Sequence, residues 1–171
     1  MNELKFCPKC GKPHLEYNNI NKLSCQSCDF VLFHNCAAAV AVIIRCGDEI
    51  FLTKRNQEPM KEKLDLSGGF CDPNESAEET CKRELYEELN IEIDLYALKI
   101  LATQPNIYHY KGIDYNTMDI FFEYRVEEKF SPQLEQSEIS EGIWIPLQDL
   151  NLDTLAFESQ KKFLAKYKAG K

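Results

Sequence analysis

Apolar residues in this chain come in short blocks, and the spacing within each block changes along the sequence. Residues 36–45 read CAAAVAVIIR, apolar almost throughout, and after Gly47-Asp48 a second block runs from Glu49 to Lys54. A run without alternating polar positions predicts a strand buried on both faces, and the turn-linked second block predicts its hairpin partner. Leu64 to Leu66 is a short apolar step into Ser67-Gly68-Gly69, a flexible entry to the acidic segment that follows. Residues 93–103 and 117–126, rich in Tyr, Phe and Ile, predict further strands, and Ile143 to Ile145 a short one.

Two segments have helical spacing instead. Ser76 and Glu79 form an S-x-x-E capping box just after the Pro73-Asn74 turn, which predicts a helix of about four turns ending at Asn90. From Leu155 to Lys168, the residues Ala156, Phe157, Phe163, Leu164 and Tyr167 fall on a stripe of roughly 120°, as in a terminal amphipathic helix packed on a sheet. Before residue 34, Gly11, Pro13 and Asn18 to Asn21 break any long periodicity. The pattern predicts a small module over 1–34, a hinge near 32–36, and an α/β domain over 35–171.

Composition narrows the class. At 171 residues the chain has room for one ordinary domain and a small appendage. A formal charge of −8 gives no overall basic footprint, so nucleic acid is not the expected partner. The longest apolar run, Cys36 to Ile44, is far short of the roughly 20 residues that span a bilayer, and no apolar leader follows Met1. The expectation is a cytoplasmic protein with no membrane partner.

Four of the eight cysteines, Cys7, Cys10, Cys25 and Cys28, form two C-x-x-C knuckles. Four thiolates on two tight turns close a tetrahedral shell around zinc and leave no position for substrate, so the site is expected to be structural. A redox pair and an iron–sulfur ligand set are the competing readings. A module this small needs its metal to fold. Cys36, Cys46, Cys71 and Cys81 follow no such pattern and read as ordinary small side chains.

The acidic helix carries the chemistry. At about 100° per residue, Glu84, Glu87 and Glu88 lie within roughly a 100° arc, while Tyr86 and Glu79 point elsewhere. Like charges at i and i+4 cost a helix about 0.2–0.5 kcal/mol, so Glu84 and Glu88 crowd each other unless a counter-ion joins them. Oxygen ligands of this kind suit magnesium or manganese.

Gly69, Glu75, Arg83, Glu84, Leu85, Glu87, Glu88 and Ile91 stand at the spacing of the Nudix signature, with Asn90 where that pattern has glycine. Asparagine tolerates the left-handed geometry of a helix end better than most residues, so the loop should survive the change. The chain therefore resembles the Nudix hydrolases, and the likeness extends over LTKRNQEPMKEKLDLSGG and EGIWIPLQDL. The resemblance implies an α/β/α sandwich with a mixed sheet, preceded here by the four-cysteine zinc ribbon. It implies magnesium-dependent hydrolysis of a nucleoside diphosphate joined to a second group. Glu84, Glu87 and Glu88 would be metal ligands, with the Gly68 carbonyl as a further oxygen, and Arg83 and Glu75 a salt bridge orienting the loop.

On the same resemblance a general base comes from the helix or from a later acidic loop. That loop offers Glu135, Glu138 and Glu141, of which Glu138 is favoured because it lies a short distance before GIWIPL in a flexible stretch that could swing over the metal site. The leaving group is expected at Arg55 and at aromatics among Tyr108, Tyr110, Tyr115 and Phe121. A ribbon ahead of such a domain resembles the NADH pyrophosphatase branch, although Thr103-Gln104-Pro105-Asn106 stands where that branch carries a SQPW-type motif. NADH, ADP-ribose and related dinucleotides or sugar nucleotides are the candidate substrates, and a homodimer is compatible with the family. The contrasting reading is a non-catalytic nucleotide sensor whose ribbon docks a protein or nucleic acid; a missing metal glutamate would favour it, and all three are present.

Overall fold

The computed structural model describes residues 4–170. The chain divides between Cys36 and Ala37 into two compact units. The first holds an antiparallel sheet of β1 (Leu15–Tyr17), β2 (Lys22–Cys25) and β3 (Val31–Phe33), with Leu23 opposite both Tyr17 and Leu32. The Asn18 side chain accepts from the backbone N–H groups of Ile20, Asn21 and Lys22, which makes the β1–β2 turn. Leu23 is fully buried, and among the described residues of this unit Cys7 and Cys25 are the other buried side chains, too few for a core without a cross-link.

The second unit is built on β4 (Ala37–Cys46), β5 (Glu49–Arg55), β6 (Leu64–Asp65), β7 (Lys99–Tyr110), β8 (Ile113–Arg125) and β9 (Ile139–Pro146). β4 pairs in parallel with β8 and antiparallel with β5, the other pairings are antiparallel, and β9 lies along β5. The sheet is therefore mixed. Helix α1 (Ala77–Leu89) buries Cys81, Leu85 and Leu89 on Val40, Val42, Ile44 and Phe122. Helix α2 (Glu158–Lys168) buries Phe163 and Leu164 against Ile43, Leu52 and Phe121 on the opposite face. Alternate residues of β4 serve the two layers, which is why its sequence shows no polar alternation.

The β4–β5 hairpin forms where the sequence predicts it, and Ser76 and Glu79 make a complete capping box. Asn90 closes α1 in the left-handed region at φ 53°. Several boundaries differ. The strand expected over 93–103 begins only at Lys99, because the Asp94 side chain accepts from the Tyr96 N–H and starts a 3₁₀ turn over Leu95–Ala97. It then runs to Tyr110 and turns at Lys111-Gly112, both at positive φ, so β8 starts at Ile113 rather than near 117. The terminal helix starts at Glu158, not Leu155: Leu155 bridges to Leu64, and the Ala156 N–H donates to the Leu64 carbonyl. The short strand expected over Ile143 to Ile145 is longer, Ile139–Pro146.

Between α2 and the sheet, the buried Glu123 carboxylate accepts from Arg125 Nε at 2.7 Å and from the Tyr167 hydroxyl. No helix among the described residues is long and apolar enough to cross a membrane.

The cap makes a direct prediction. Ser76→Ala leaves the Glu79 N–H without its acceptor and should cost about 1 kcal/mol in urea denaturation; an unchanged midpoint would show that the cap does not anchor α1.

Candidate active site

The loop entering α1 is tied to the helix by one guanidinium. Arg83 donates from Nε to Glu75 Oε1 at 2.9 Å and from Nη2 to Glu75 Oε2 at 3.1 Å, a two-pronged pairing. Its Nη2 also reaches the Phe70 carbonyl at 3.0 Å, and Nη1 reaches Glu84 at 2.7 Å and Glu87 at 3.0 Å. The Glu75 carboxylate further accepts from the Thr80 hydroxyl and the Asp72 N–H. The Arg83 guanidinium beside it is the main reason its carboxyl is pulled down to about 2.

Two glycines bring this loop close. An added Cβ at Gly68, at φ +143°, would stand 2.2 Å from the Val40 carbonyl oxygen. At Gly69 it would stand 2.5 Å from Glu84 Oε1. The space beside Glu84 exists only without a side chain there. Burial pushes the Glu84 carboxyl up, against the pull of Arg83. Burial pushes Glu88 well above the ordinary carboxylate range, and the neighbouring Asp65 and Glu84 carboxylates add to the rise. Glu88 Oε2 accepts from the Gly68 N–H at 3.3 Å.

These acids line one end of a cavity of about 810 Å³, a size suited to a nucleotide-like ligand. Its wall includes Ala39 and Ala41 on β4, where the residues serving α1 are the bulkier Val40 and Val42. Arg55 lines it too, held by Nη1 on Asp65 at 2.7 Å and Nε on the Pro59 carbonyl at 2.8 Å. Its guanidinium lies 5.2 Å from the Phe157 ring centroid. Tyr108 and Phe157 have centroids 5.7 Å apart, and Phe70 meets Tyr108 edge-on at 5.4 Å.

Of the residues singled out in the sequence, Gly68, Arg83, Glu84, Glu87, Glu88, Glu138, Arg55 and Tyr108 all line this cavity, with Glu75 behind Arg83. Tyr110 does not: it lies one step nearer the hairpin tip, tilted against Tyr108 at 6.2 Å and half exposed. Phe121 is wholly buried and stacks on Phe163 at 4.2 Å, so it belongs to the core. Tyr115 and Glu141 are also outside the wall, while Glu135 is in it.

Sequence reasoning missed Asp65, Asn106, Thr117, Asp119, Phe157 and Gln160, which line the same cavity. A faint signal existed for Asp65, a lone acid between Leu64 and Leu66. Phe157 falls on the apolar stripe of the terminal helix, where the pattern gives it a core position.

In the first unit the four cysteines meet. Their Sγ atoms all lie within 4.8 Å of one another, with Cys7–Cys28 and Cys10–Cys25 at 3.7 Å. Tetrahedral zinc with bonds of about 2.3 Å sets sulfurs about 3.8 Å apart, so the donor set fits that ion. The Ser27 N–H donates to Cys25 Sγ at 3.3 Å.

A mixed sheet between helices, with a glycine loop and an Arg-Glu cluster on the first helix, defines a Nudix-type domain. Residues 34–167 match the model of the NUDIX domain, and the chain belongs to that family. Among curated relatives, NAD-capped RNA hydrolase NudC of Pseudomonas entomophila (strain L48) is 34% identical over 91 residues, 53% of this chain and 33% of that protein. The mitochondrial NAD(P)H pyrophosphatase NUDT13 of Homo sapiens is 29% identical over 100 residues, 58% of this chain and 28% of that protein. The match thus spans about a third of the relatives' length. A NUDIX hydrolase from Nitrosomonas europaea shares the fold with a TM-score of 0.65 at 20% identity, over 98% of this chain and 94% of that one. The NUDIX domain of Shewanella oneidensis NrtR, complexed with ADP ribose, does so with a TM-score of 0.62 at 21% identity, over 80% of this chain and 90% of that one.

Two predictions follow from the charges. Since the Glu88 carboxyl is raised in the folded state, its ionisation costs stability as pH rises above its ordinary value of 4.5. Glu88→Gln should therefore raise the melting temperature of metal-free protein at neutral pH, by about 2–4 °C for each kcal/mol relieved; a lower melting temperature would contradict the crowding. Glu75 runs the other way, its stabilisation being full above 4.5 and lost as pH falls toward about 2. In Glu75→Gln the acid side of a stability–pH curve should flatten, and an unaltered curve would remove the pair from the account.

Proposed function

We propose that this protein is a magnesium-dependent hydrolase that cleaves the diphosphate linkage of a nucleoside diphosphate derivative such as NADH, ADP-ribose or a related dinucleotide or sugar nucleotide. The observation that carries this reading is a single cavity that unites the acids of α1 with Arg55 and the Tyr108–Phe157 ring pair. The names of the relatives, a NAD-capped RNA hydrolase and an NAD(P)H pyrophosphatase, support the same substrate class.

Glu84, Glu87 and Glu88, with the Gly68 carbonyl, would hold the cation, and manganese suits the same oxygens. The residues fit: Glu84 and Glu88 are carboxyls whose burial opposes ionisation until a positive charge joins them. Bound there, magnesium screens phosphate charge and acidifies nearby water. Arg83 and Glu75 keep the loop and helix in register, so that the acids converge from one side. Glu138, at the cavity mouth, takes the proton of the attacking water. The water oxygen bonds to one phosphorus, the bridging phosphorus–oxygen bond breaks, and two phosphate monoesters leave. Arg55, with Nε and Nη1 held by the protein, has Nη2 left for a phosphate or sugar oxygen. Tyr108 and Phe157 offer ring faces to a base. Cys7, Cys10, Cys25 and Cys28 would hold a structural zinc ion.

The test is incubation with magnesium and a panel of NADH, ADP-ribose, diadenosine polyphosphates, sugar nucleotides and nucleoside triphosphates, with products identified by mass. Cleavage at a diphosphate linkage is expected, lowered about 100-fold or more in Glu87→Gln. No cleavage of any member, with nucleotide binding retained, would replace this reading by a sensor. Metal analysis should find about one zinc per chain in purified protein, and a stably folded metal-free ribbon would reject the structural site.

A further inference from the structure

The wall opposite the acidic helix holds a carboxylate to which the proposed reaction gives no task. Asp119 is only 8% exposed, yet it lines the cavity. Thr117 donates its hydroxyl to Oδ1 at 2.6 Å and Ser159 to Oδ2 at 2.6 Å. Both partners are hydroxyls rather than cations, and each oxygen of a carboxylate can accept more than one hydrogen bond. Each oxygen thus has one donor and keeps capacity for a second from the cavity side.

The strand register says what stands beside it. Across β7 and β8, Tyr108 faces Tyr115, Asn106 faces Thr117 and Gln104 faces Asp119. Residues two apart on one strand share a face about 7 Å apart. Asn106 lies one such step from Tyr108 and Asp119 one step further, so the cavity carries both along the row that starts at the Tyr108 and Phe157 rings. On the neighbouring strand Ala39 pairs with Asp119, and its small side chain leaves the approach open. Asn106 offers an amide N–H as well as a carbonyl, while Asp119 only accepts. Together they suit an edge with an NH₂ group beside an acceptor nitrogen, as on adenine.

Resting on the hydrolase reading for the place of the phosphates, we propose that Asp119 is a specificity-determining residue that accepts a hydrogen bond from the exocyclic amino group of the substrate's base, with Asn106 as the donor beside it, so that among purine nucleotides the site selects those bearing the 6-amino group of adenine. Bases that turn a carbonyl oxygen toward the carboxylate are repelled. A base with no group at that position forgoes the added hydrogen bond.

The test is equilibrium binding without metal or turnover, comparing AMP with purine riboside 5′-monophosphate, which lacks only the 6-amino group, and with IMP, which carries oxygen there. AMP should bind about tenfold or more tighter than either, as for a hydrogen bond to a charged group. Asp119→Ala should bring AMP and purine riboside monophosphate to within about twofold of each other, and Asp119→Asn should narrow the gap between AMP and IMP, because its amide can donate to the oxygen. Ser159→Ala, which removes the tether to α2 and leaves the carboxylate in place, should keep the preference for AMP. Equal affinities in the wild type, or a preference that survives Asp119→Ala, would overturn the proposal. An equal loss for all three nucleotides in Asp119→Ala would overturn it too, as expected if the carboxylate contacts ribose or merely anchors α2. These outcomes are separate from the hydrolase reading: diphosphate cleavage without base preference sinks only the role of Asp119, and base preference without cleavage sinks only the hydrolase.

Discussion

The site depends on one ion pair. The glycine loop is laid along β4 by backbone hydrogen bonds, the Val42 and Val40 N–H groups donating to the Ser67 and Gly69 carbonyls and the Cys71 N–H to the Ala38 carbonyl, but Gly68 and Gly69 offer no side chains to the helix. Arg83 ties that loop to the helix, with a two-pronged contact to Glu75, a bond to the Phe70 carbonyl, and a bond to each of Glu84 and Glu87. A lysine has no rigid fork with which to engage so many oxygens at once. The pairing serves orientation more than stability, since it is partly solvated and each such pair contributes little by itself. Its result is a cluster in which Glu84 and Glu88 converge and are held off their ordinary titration by burial.

The sheet supplies the room. β4 gives valine and isoleucine to α1 and alanine at 39 and 41 to the other face, so the layer that carries α2 opens into a cavity instead of closing. Around that opening the polar side chains are cross-braced. Gln160 of α2 donates to Asp65 at 2.5 Å, Asp65 accepts from Arg55, and Ser159 donates to Asp119. The second helix thus fixes the far wall as Arg83 fixes the near one, and burial raises the Asp65 carboxyl despite its arginine partner.

The near wall was legible in the sequence and the far wall was not. Local rules carry the acidic helix: a capping box starts it, a left-handed asparagine ends it, and helical spacing alone puts Glu84, Glu87 and Glu88 on one side. The four cysteines were legible for the same reason, two tight turns with fixed spacing. Asp65 on β6, Asp119 on β8, and Phe157 and Gln160 at the start of α2 meet only through sheet pairing and helix docking, and no short-range pattern records such a meeting. Tyr110 shows the limit in the other direction. Aromatic strand residues near a site are easily named, but the point where the hairpin turns decides which of them reach it, and Lys111-Gly112 is not an obvious turn pair.

The account rests on the claim that the converging carboxylates of α1 form a divalent-cation site. Manganese binding followed by electron paramagnetic resonance tests it without substrate or turnover. The wild-type protein should take up the ion, and Glu84→Gln and Glu88→Gln should each weaken binding about tenfold or more, while Glu141→Gln, outside the cavity wall, should bind as the wild type does. Undiminished manganese affinity in both Glu84→Gln and Glu88→Gln would contradict the account.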